Sequence, residues 1–149
     1  MKPKRGIDGD VTQIKNQHYW ESFFNHSIDL YTSDLGFETD EHGDYTKQEF
    51  AHLKPNVGQI LTGLLPLRNG GHMVIKQYTF FESLNISIIA LLTNCFERVY
   101  LCKPVTSRPF NSETYIVCTN YRLTDVIIKK FKSKLQAFDV LPFISFKSI

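Results

Sequence analysis

Few residues in this chain are placed to do chemistry, and one of them stands where a charge is costly. In NGGHMVIKQYTFFE (residues 69–82) an apolar strand pattern ends at Lys76. A lysine can take the proton from a poor nucleophile such as a hydroxyl, but only in its neutral form, so its pKa has to be brought toward working pH by its surroundings. Two carboxylates are candidates to orient its ammonium, although two anions alone would raise that pKa. Asp34 closes the apolar run SIDLYTSD (27–34), and Glu113 opens ETYIVCTNY (113–121). Functional groups of an open α/β sheet collect at the carboxyl ends of its strands, which predicts Asp34 and Lys76 on one edge. The last two strands are joined by only about eight residues, too few for a parallel crossover. The final strand therefore runs the other way, and its first residue, Glu113, falls on that same edge. Taken singly, each residue has an ordinary alternative. An aspartate after a strand is a turn residue or helix cap, a lysine at a strand end snorkels to water, and a glutamate at a strand start is simply exposed.

The elements that must position these groups follow from pattern. The chain has 149 residues, 42% of them apolar, enough for the core of one domain. A helix is predicted over 12–25 with Ile14, Trp20, Phe23 and Phe24 on its apolar side, then a short buried strand over 27–34 and an acidic loop over 36–45. A helical stretch starts near Thr46, with Pro55 expected to interrupt it; Val57, Ile60, Leu61, Leu64 and Leu65 recur at helical spacing after it. NGG (69–71) reads as the break before the strand at 72–78. A helix over 83–96, strands over 98–104 and 113–121, a helix over 124–138 and an apolar tail complete the order. Alternating helices and apolar strands indicate an α/β sheet covered on both faces.

Composition narrows the function classes. A net charge of +2 does not by itself mark a nucleic-acid binder, and the basic run KKFKSK (129–134) reads as a solvated helix face. Cys95, Cys102 and Cys118 form no CxxC pair and sit in apolar surroundings, as reduced core residues of an intracellular protein do. The five histidines show no ligand spacing, so no metal site is expected. No secretory segment opens the chain, and no apolar run reaches the about 18 residues of a membrane span.

Three motifs carry a resemblance. SDLGF, GGHMVIKQY and FERVYLCKPVTSRPFNSETYIVC resemble the FtsJ-like RNA ribose 2′-O-methyltransferases over about residues 6–122. KPVTSRPFNSETYIVC looks most like their cap-specific members from eukaryotes and large DNA viruses. The resemblance implies a Rossmann-like S-adenosylmethionine-dependent methyltransferase fold, a mostly parallel sheet whose last strand is antiparallel. It also implies a Lys-Asp-Lys-Glu tetrad around a ribose hydroxyl, with Asp34, Lys76 and Glu113 as its last three members. GDVT (9–12) matches the family segment whose aspartate contacts the cofactor adenine. Asp10 is then the first cofactor candidate and Asp8 the second, with a plain loop role as the alternative. In TSRPFNSE, Arg108 would contact an RNA phosphate and Ser107 or Asn111 would position backbone groups; turn chemistry is the alternative for these residues. Tyr78 and Phe80 would stack on a base or, for Phe80, pack in the core.

The family's first lysine and its glycine-rich cofactor loop precede the segment matched here. By resemblance the chain is the C-terminal portion of the domain, its first strands missing, to be completed by the rest of a longer protein or by a partner chain. The expected activity is methyl transfer from S-adenosylmethionine to a ribose 2′-hydroxyl of RNA near the mRNA cap, in the nucleus or the cytoplasm (the cytoplasm for a viral protein). The alternatives are a ribosomal or transfer RNA 2′-O-methyltransferase and a non-catalytic RNA-binding scaffold of the same fold.

Overall fold

The structure, a computed structural model, describes residues 8–35, 45–78, 80, 83–108 and 112–122. The predicted helix over 124–138, the apolar tail, the KKFKSK run and most of the acidic loop lie outside the described residues. The element order is α1 (Ile14–Phe24), β1 (Ile28–Ser33), α2 (Tyr45–Leu64), β2 (Leu67–Gln77), α3 (Ser83–Cys95), β3 (Phe96–Cys102) and β4 (Thr114–Tyr121). The strands form one sheet in the order β1-β2-β4-β3. β1 and β2 are parallel, and β4 pairs antiparallel with both β2 and β3. Three strands thus share a direction and the last opposes them, as expected. This is a Rossmann-like mixed α/β arrangement. No helix among the described residues is long and apolar enough to cross a membrane.

Packing overrules local sequence in several places. α2 runs unbroken through Pro55. An interior proline costs a helix about 3 kcal/mol, whereas burying a large aliphatic side chain is worth about 1.5–3 kcal/mol, and Ile60, Leu61 and Leu64 are all buried after it. The break predicted at NGG falls earlier, at Leu65 and the buried Pro66. NGG itself lies inside β2. Ile28 pairs with Leu67 and Leu30 with His72, so five residue steps on β2 oppose two on β1. Gly70, at φ +79°, supplies the left-handed backbone that this bulge needs.

Among the described residues, the core lies on one face of the sheet. Met73 and Ile75 of β2 and Ile116 and Cys118 of β4 meet Leu64 of α2 and Leu92 of α3. The two helices touch each other as well as the strands. Among the described residues, α2 and α3 share one face; the predicted helix over 124–138 lies outside them. The other face carries half-buried Val74 and Val117 and exposed Leu30 and Tyr100. β1 is half-exposed rather than buried, because it is an end strand of this sheet. Cys95 and Cys118 are buried, and burial pushes both thiols up to about 12. Cys102 is exposed and is not a core residue.

α1 also departs from its predicted side. Its buried residues are Asn16 and Gln17. Tyr19, Trp20, Phe23 and Phe24 stack on one another at the partly exposed side instead.

Candidate active site

Register brings the charged groups together. Ser33 pairs with Ile75, so the next residues along the two parallel strands, Asp34 and Lys76, stand level. Side chains alternate along a strand. Met73, Ile75 and Gln77 are buried on the core side, which turns Lys76 to the other face. There its ammonium forms an ion pair with Asp34 Oδ1 and lies 5.5 Å from the centroid of the Tyr78 ring. The lysine side chain is only 11% exposed, the aspartate 76%.

On the other side of β2, Lys76 pairs with Tyr115 and Gln77 with Thr114. Glu113, one residue before β4, is thereby delivered to the same edge. The Tyr115 hydroxyl donates to Glu113 Oε1 at 3.2 Å. No single element contains this row: Asp34, Lys76, Tyr115 and Glu113 come from the ends of three strands.

The electrostatics bind the row together. Asp34 holds the Lys76 ammonium far above the usual lysine range; burial opposes the shift without cancelling it, and Tyr78 adds to it. The Tyr115 phenol is raised by burial and by its hydrogen bond to Glu113; the charge of Asp34 adds to the rise and Lys76 opposes it. The phenol is a neutral donor at physiological pH, and Lys76 is charged.

Backbone supports fix the edge. Gln59 is fully buried on α2, and its Nε2 donates to the Lys76 carbonyl at 3.3 Å. Thr114 Oγ1 donates to the Gln77 carbonyl at 3.0 Å. Lys103, at the end of β3, donates from Nζ to the Glu113 carbonyl at 2.9 Å. That bond ties the two stems of the β3–β4 connection, which carries Ser107 and Arg108. The Ser107 amide donates to the Pro104 carbonyl at 3.0 Å, and Arg108 is exposed. Asn111 lies outside the described residues. Phe80 packs against the core, which leaves Tyr78 as the aromatic beside the lysine.

Asp8 and Asp10 occupy a turn ahead of α1. Asp10 Oδ1 accepts from the Thr12 amide at 2.9 Å and the Thr12 hydroxyl at 2.8 Å, and Oδ2 accepts from Gln13 Nε2 at 3.2 Å. Asp8 Oδ1 accepts from Asn16 Nδ2 at 2.6 Å and from the Asp10 amide at 3.1 Å. These hydrogen bonds hold both carboxyls below the usual carboxylate range, through Asn16 first for Asp8 and through the Thr12 amide first for Asp10. The turn lies on α2 so closely that a Cβ at Gly58 would stand 2.5 Å from the Val11 carbonyl oxygen. The next residue of that helix is Gln59, the support of Lys76.

The sequence reading omitted Tyr115, Gln59, Lys103 and Asn16. Tyr115 had a signal, since it lies two positions from Glu113 and so on the same strand face. Gln59 and Lys103 act through backbone carbonyls 17 and 10 residues away, and Asn16 through the Asp8 side chain and the Asp10 carbonyl of the adjacent turn; no pattern in the sequence announces them.

The sequence model of the FtsJ-like methyltransferases matches residues 3–121. The chain is 45% identical over 116 residues to the African swine fever virus protein named probable methyltransferase EP424R, covering 76% of this chain and 27% of that protein. It is 39% identical over 116 residues to cap-specific mRNA (nucleoside-2′-O-)-methyltransferase 1 of Xenopus laevis, covering 74% of this chain and 14% of that one. The chain thus spans about a quarter or less of the length of these relatives. A solved ribosomal RNA methyltransferase from Plasmodium falciparum superposes with a TM-score of 0.54 at 16% identity, over 81% of this chain and 61% of that one. That likeness is one of fold.

Proposed function

This chain belongs to the FtsJ-like methyltransferase family, and we propose that its sheet edge transfers a methyl group from S-adenosylmethionine to a ribose 2′-hydroxyl of RNA next to the mRNA cap. The observation that carries the reading is the Lys76–Asp34 ion pair, flanked across the sheet by Tyr115 and Glu113. Likeness to a cap-specific relative supports the cap-proximal ribose over a ribosomal or transfer RNA target.

Bound S-adenosylmethionine supplies an electrophilic methyl group, so the protein's task is to align and deprotonate the hydroxyl. Lys76 takes the hydroxyl proton at Nζ and Asp34 orients that nitrogen. Asp34 also works against the step, because it stabilises the charged lysine. The first lysine of the tetrad, which the family resemblance implies and which precedes the matched segment, would lower the Lys76 pKa and make the neutral base accessible. Tyr115, donating to Glu113, keeps that carboxylate level with the lysine. Arg108 and Ser107, on the connection tied by Lys103, contact the RNA backbone near the reacting ribose, with Asn111 in the same connection.

The residues at 8–12 fit an adenosine. A carboxylate accepts about four hydrogen bonds, and Asp10 accepts three within the turn. It is exposed and ionised, so it retains an acceptor for the adenine amine. Asp8, spent on Asn16 and the turn itself, shapes the site. The reaction belongs where capped RNA is found, in the nucleus or the cytoplasm.

The test is incorporation of labelled methyl from S-adenosylmethionine into capped RNA. Label is expected on RNA with free 2′-hydroxyls and not on RNA already 2′-O-methylated at its first nucleotides. Label that persists in Lys76→Ala, or equal labelling of uncapped ribosomal fragments, overturns the assignment.

A further inference from the structure

The polar interior of α1 has no role in the reaction above, and it is an unusual use of a helix. An amphipathic helix buries its apolar stripe; α1 instead buries Asn16, 1% exposed, and Gln17, while its aromatic residues stack half in solvent. A buried carboxamide is costly unless its hydrogen bonds are made. Asn16 Nδ2 donates to Asp8 Oδ1 at 2.6 Å and to the Asp10 carbonyl at 2.8 Å. Gln17 Nε2 donates to the Val11 carbonyl at 2.6 Å. Neither serves as the helix cap: the position before α1 is Gln13, which makes no side-chain capping bond. Both amides face back from the helix onto the turn over residues 8–12, and Gly58 of α2 closes it from below.

We propose that Asn16 is a positioning residue that sets the affinity for the adenosine-bearing cofactor by holding the Asp8–Asp10 turn in its binding shape before the ligand arrives. The inference rests on the reading of Asp10 as the adenine contact. Asn16 joins the two ends of the turn through a single nitrogen, one bond to a side chain and one to the main chain. With both made, the main chain at Asp10 is fixed where Thr12 and Gln13 hold its carboxylate, and binding avoids the cost of ordering it. Gly9, at φ +85°, gives the turn the left-handed backbone that brings both acceptors within reach of that nitrogen.

Asn16→Asp tests this without changing side-chain size. The donor becomes a second carboxylate against Asp8, and two carboxylates sharing a site retain a proton between them only as pH falls. S-adenosylmethionine affinity, measured by calorimetry, is expected to drop about 10–100-fold at pH 7.5, the worth of a charge-assisted hydrogen bond, and to recover toward pH 5. In the ligand-free protein the Thr12 amide, bonded to Asp10 Oδ1, is expected to exchange its hydrogen faster in the variant. Gly58→Ala, which pushes on the Val11 carbonyl without adding charge, is expected to weaken affinity with no such recovery, and it serves if Asn16→Asp does not fold. Affinity for a capped oligonucleotide is expected to be unchanged in both variants; an equal loss there reduces Asn16 to general stability and overturns the proposal. Cofactor binding that Asn16→Asp leaves intact overturns the role of Asn16 alone. Absence of cofactor binding by the unmodified protein overturns the underlying reading as well.

Discussion

The two edges of the sheet both carry charge, and they use it differently. At the edge where β1 and β2 begin, Arg68 Nε meets Asp29 Oδ1 at 2.6 Å, and Glu97 faces Arg98 and Arg122 at 3.8 and 3.9 Å. Both partners of each pair are substantially exposed, and pairs of that kind contribute about 0–1 kcal/mol. Asn120, with φ 59°, turns its amide toward His72 Nδ1 at 3.2 Å, and its side-chain amide donates to Glu97. At the opposite edge the lysine is sequestered while its aspartate stays in water. A charge held that way has a pKa governed by a few neighbours, which is the condition for acid–base work. The left-handed backbone of Gly70 and Asn120 lies at the structural edge, so strain alone does not mark the lysine's edge.

The contrast breaks most directly at the lysine. Lys76→Met is expected to reduce methyl transfer about 10²–10⁴-fold, the usual worth of an acid–base group, with RNA affinity retained; Arg68→Met is expected to leave the rate unaltered. Similar losses in both, measured in single turnover, would erase the distinction between the edges.

Asp34→Asn is expected to lower the maximal rate about 10–100-fold through the lost charge-assisted contact. It also moves the pH profile in a defined direction. Asp34 raises the lysine pKa, so removing its charge lowers that pKa and shifts the alkaline rise in rate to lower pH. The sign for stability follows from the same shift: the ion pair stabilises the fold below the unfolded lysine pKa, and that contribution fades as pH climbs through the folded one. A rate profile that keeps its midpoint in Asp34→Asn would mean that another group titrates.

Tyr115→Phe sharpens the comparison at smaller scale. It removes one neutral donor to Glu113 and is expected to slow transfer about 2–10-fold with the melting temperature nearly unchanged. A loss confined to stability would place Tyr115 with the structural residues. The smallest effect belongs to the far edge. A double-mutant cycle on Arg68 and Asp29 is expected to give a coupling below about 1 kcal/mol that fades at high salt; a larger, salt-resistant coupling would show that edge to be more than surface pairing.

Much of the site was legible before the structure. Lys76, Asp34 and Glu113 could be grouped because strand ends and strand direction follow from apolar runs and a short connection, and both are observed. Tyr115 was not included, because its place depends on which residue of β4 stands opposite Lys76. Register of that kind is set by the whole sheet. Pro55 and NGG misled for a related reason: each is a strong local signal, and each was outweighed by burial of the residues around it. The predicted apolar side of α1 failed because periodicity records where aromatic residues fall along a helix. It does not record that the neighbouring turn offers buried acceptors.

Sequence alone determined the alternation of helices and strands, the reversed last strand, and the edge on which three charged residues gather. Each of these depends on short-range pattern and chain length. Tertiary structure alone decided that the lysine is nearly enclosed while its aspartate is not, that Tyr115 joins the row, and that α1 buries amides against a turn. These depend on solvent exclusion and cross-strand register, properties of surfaces that exist only once distant segments have met.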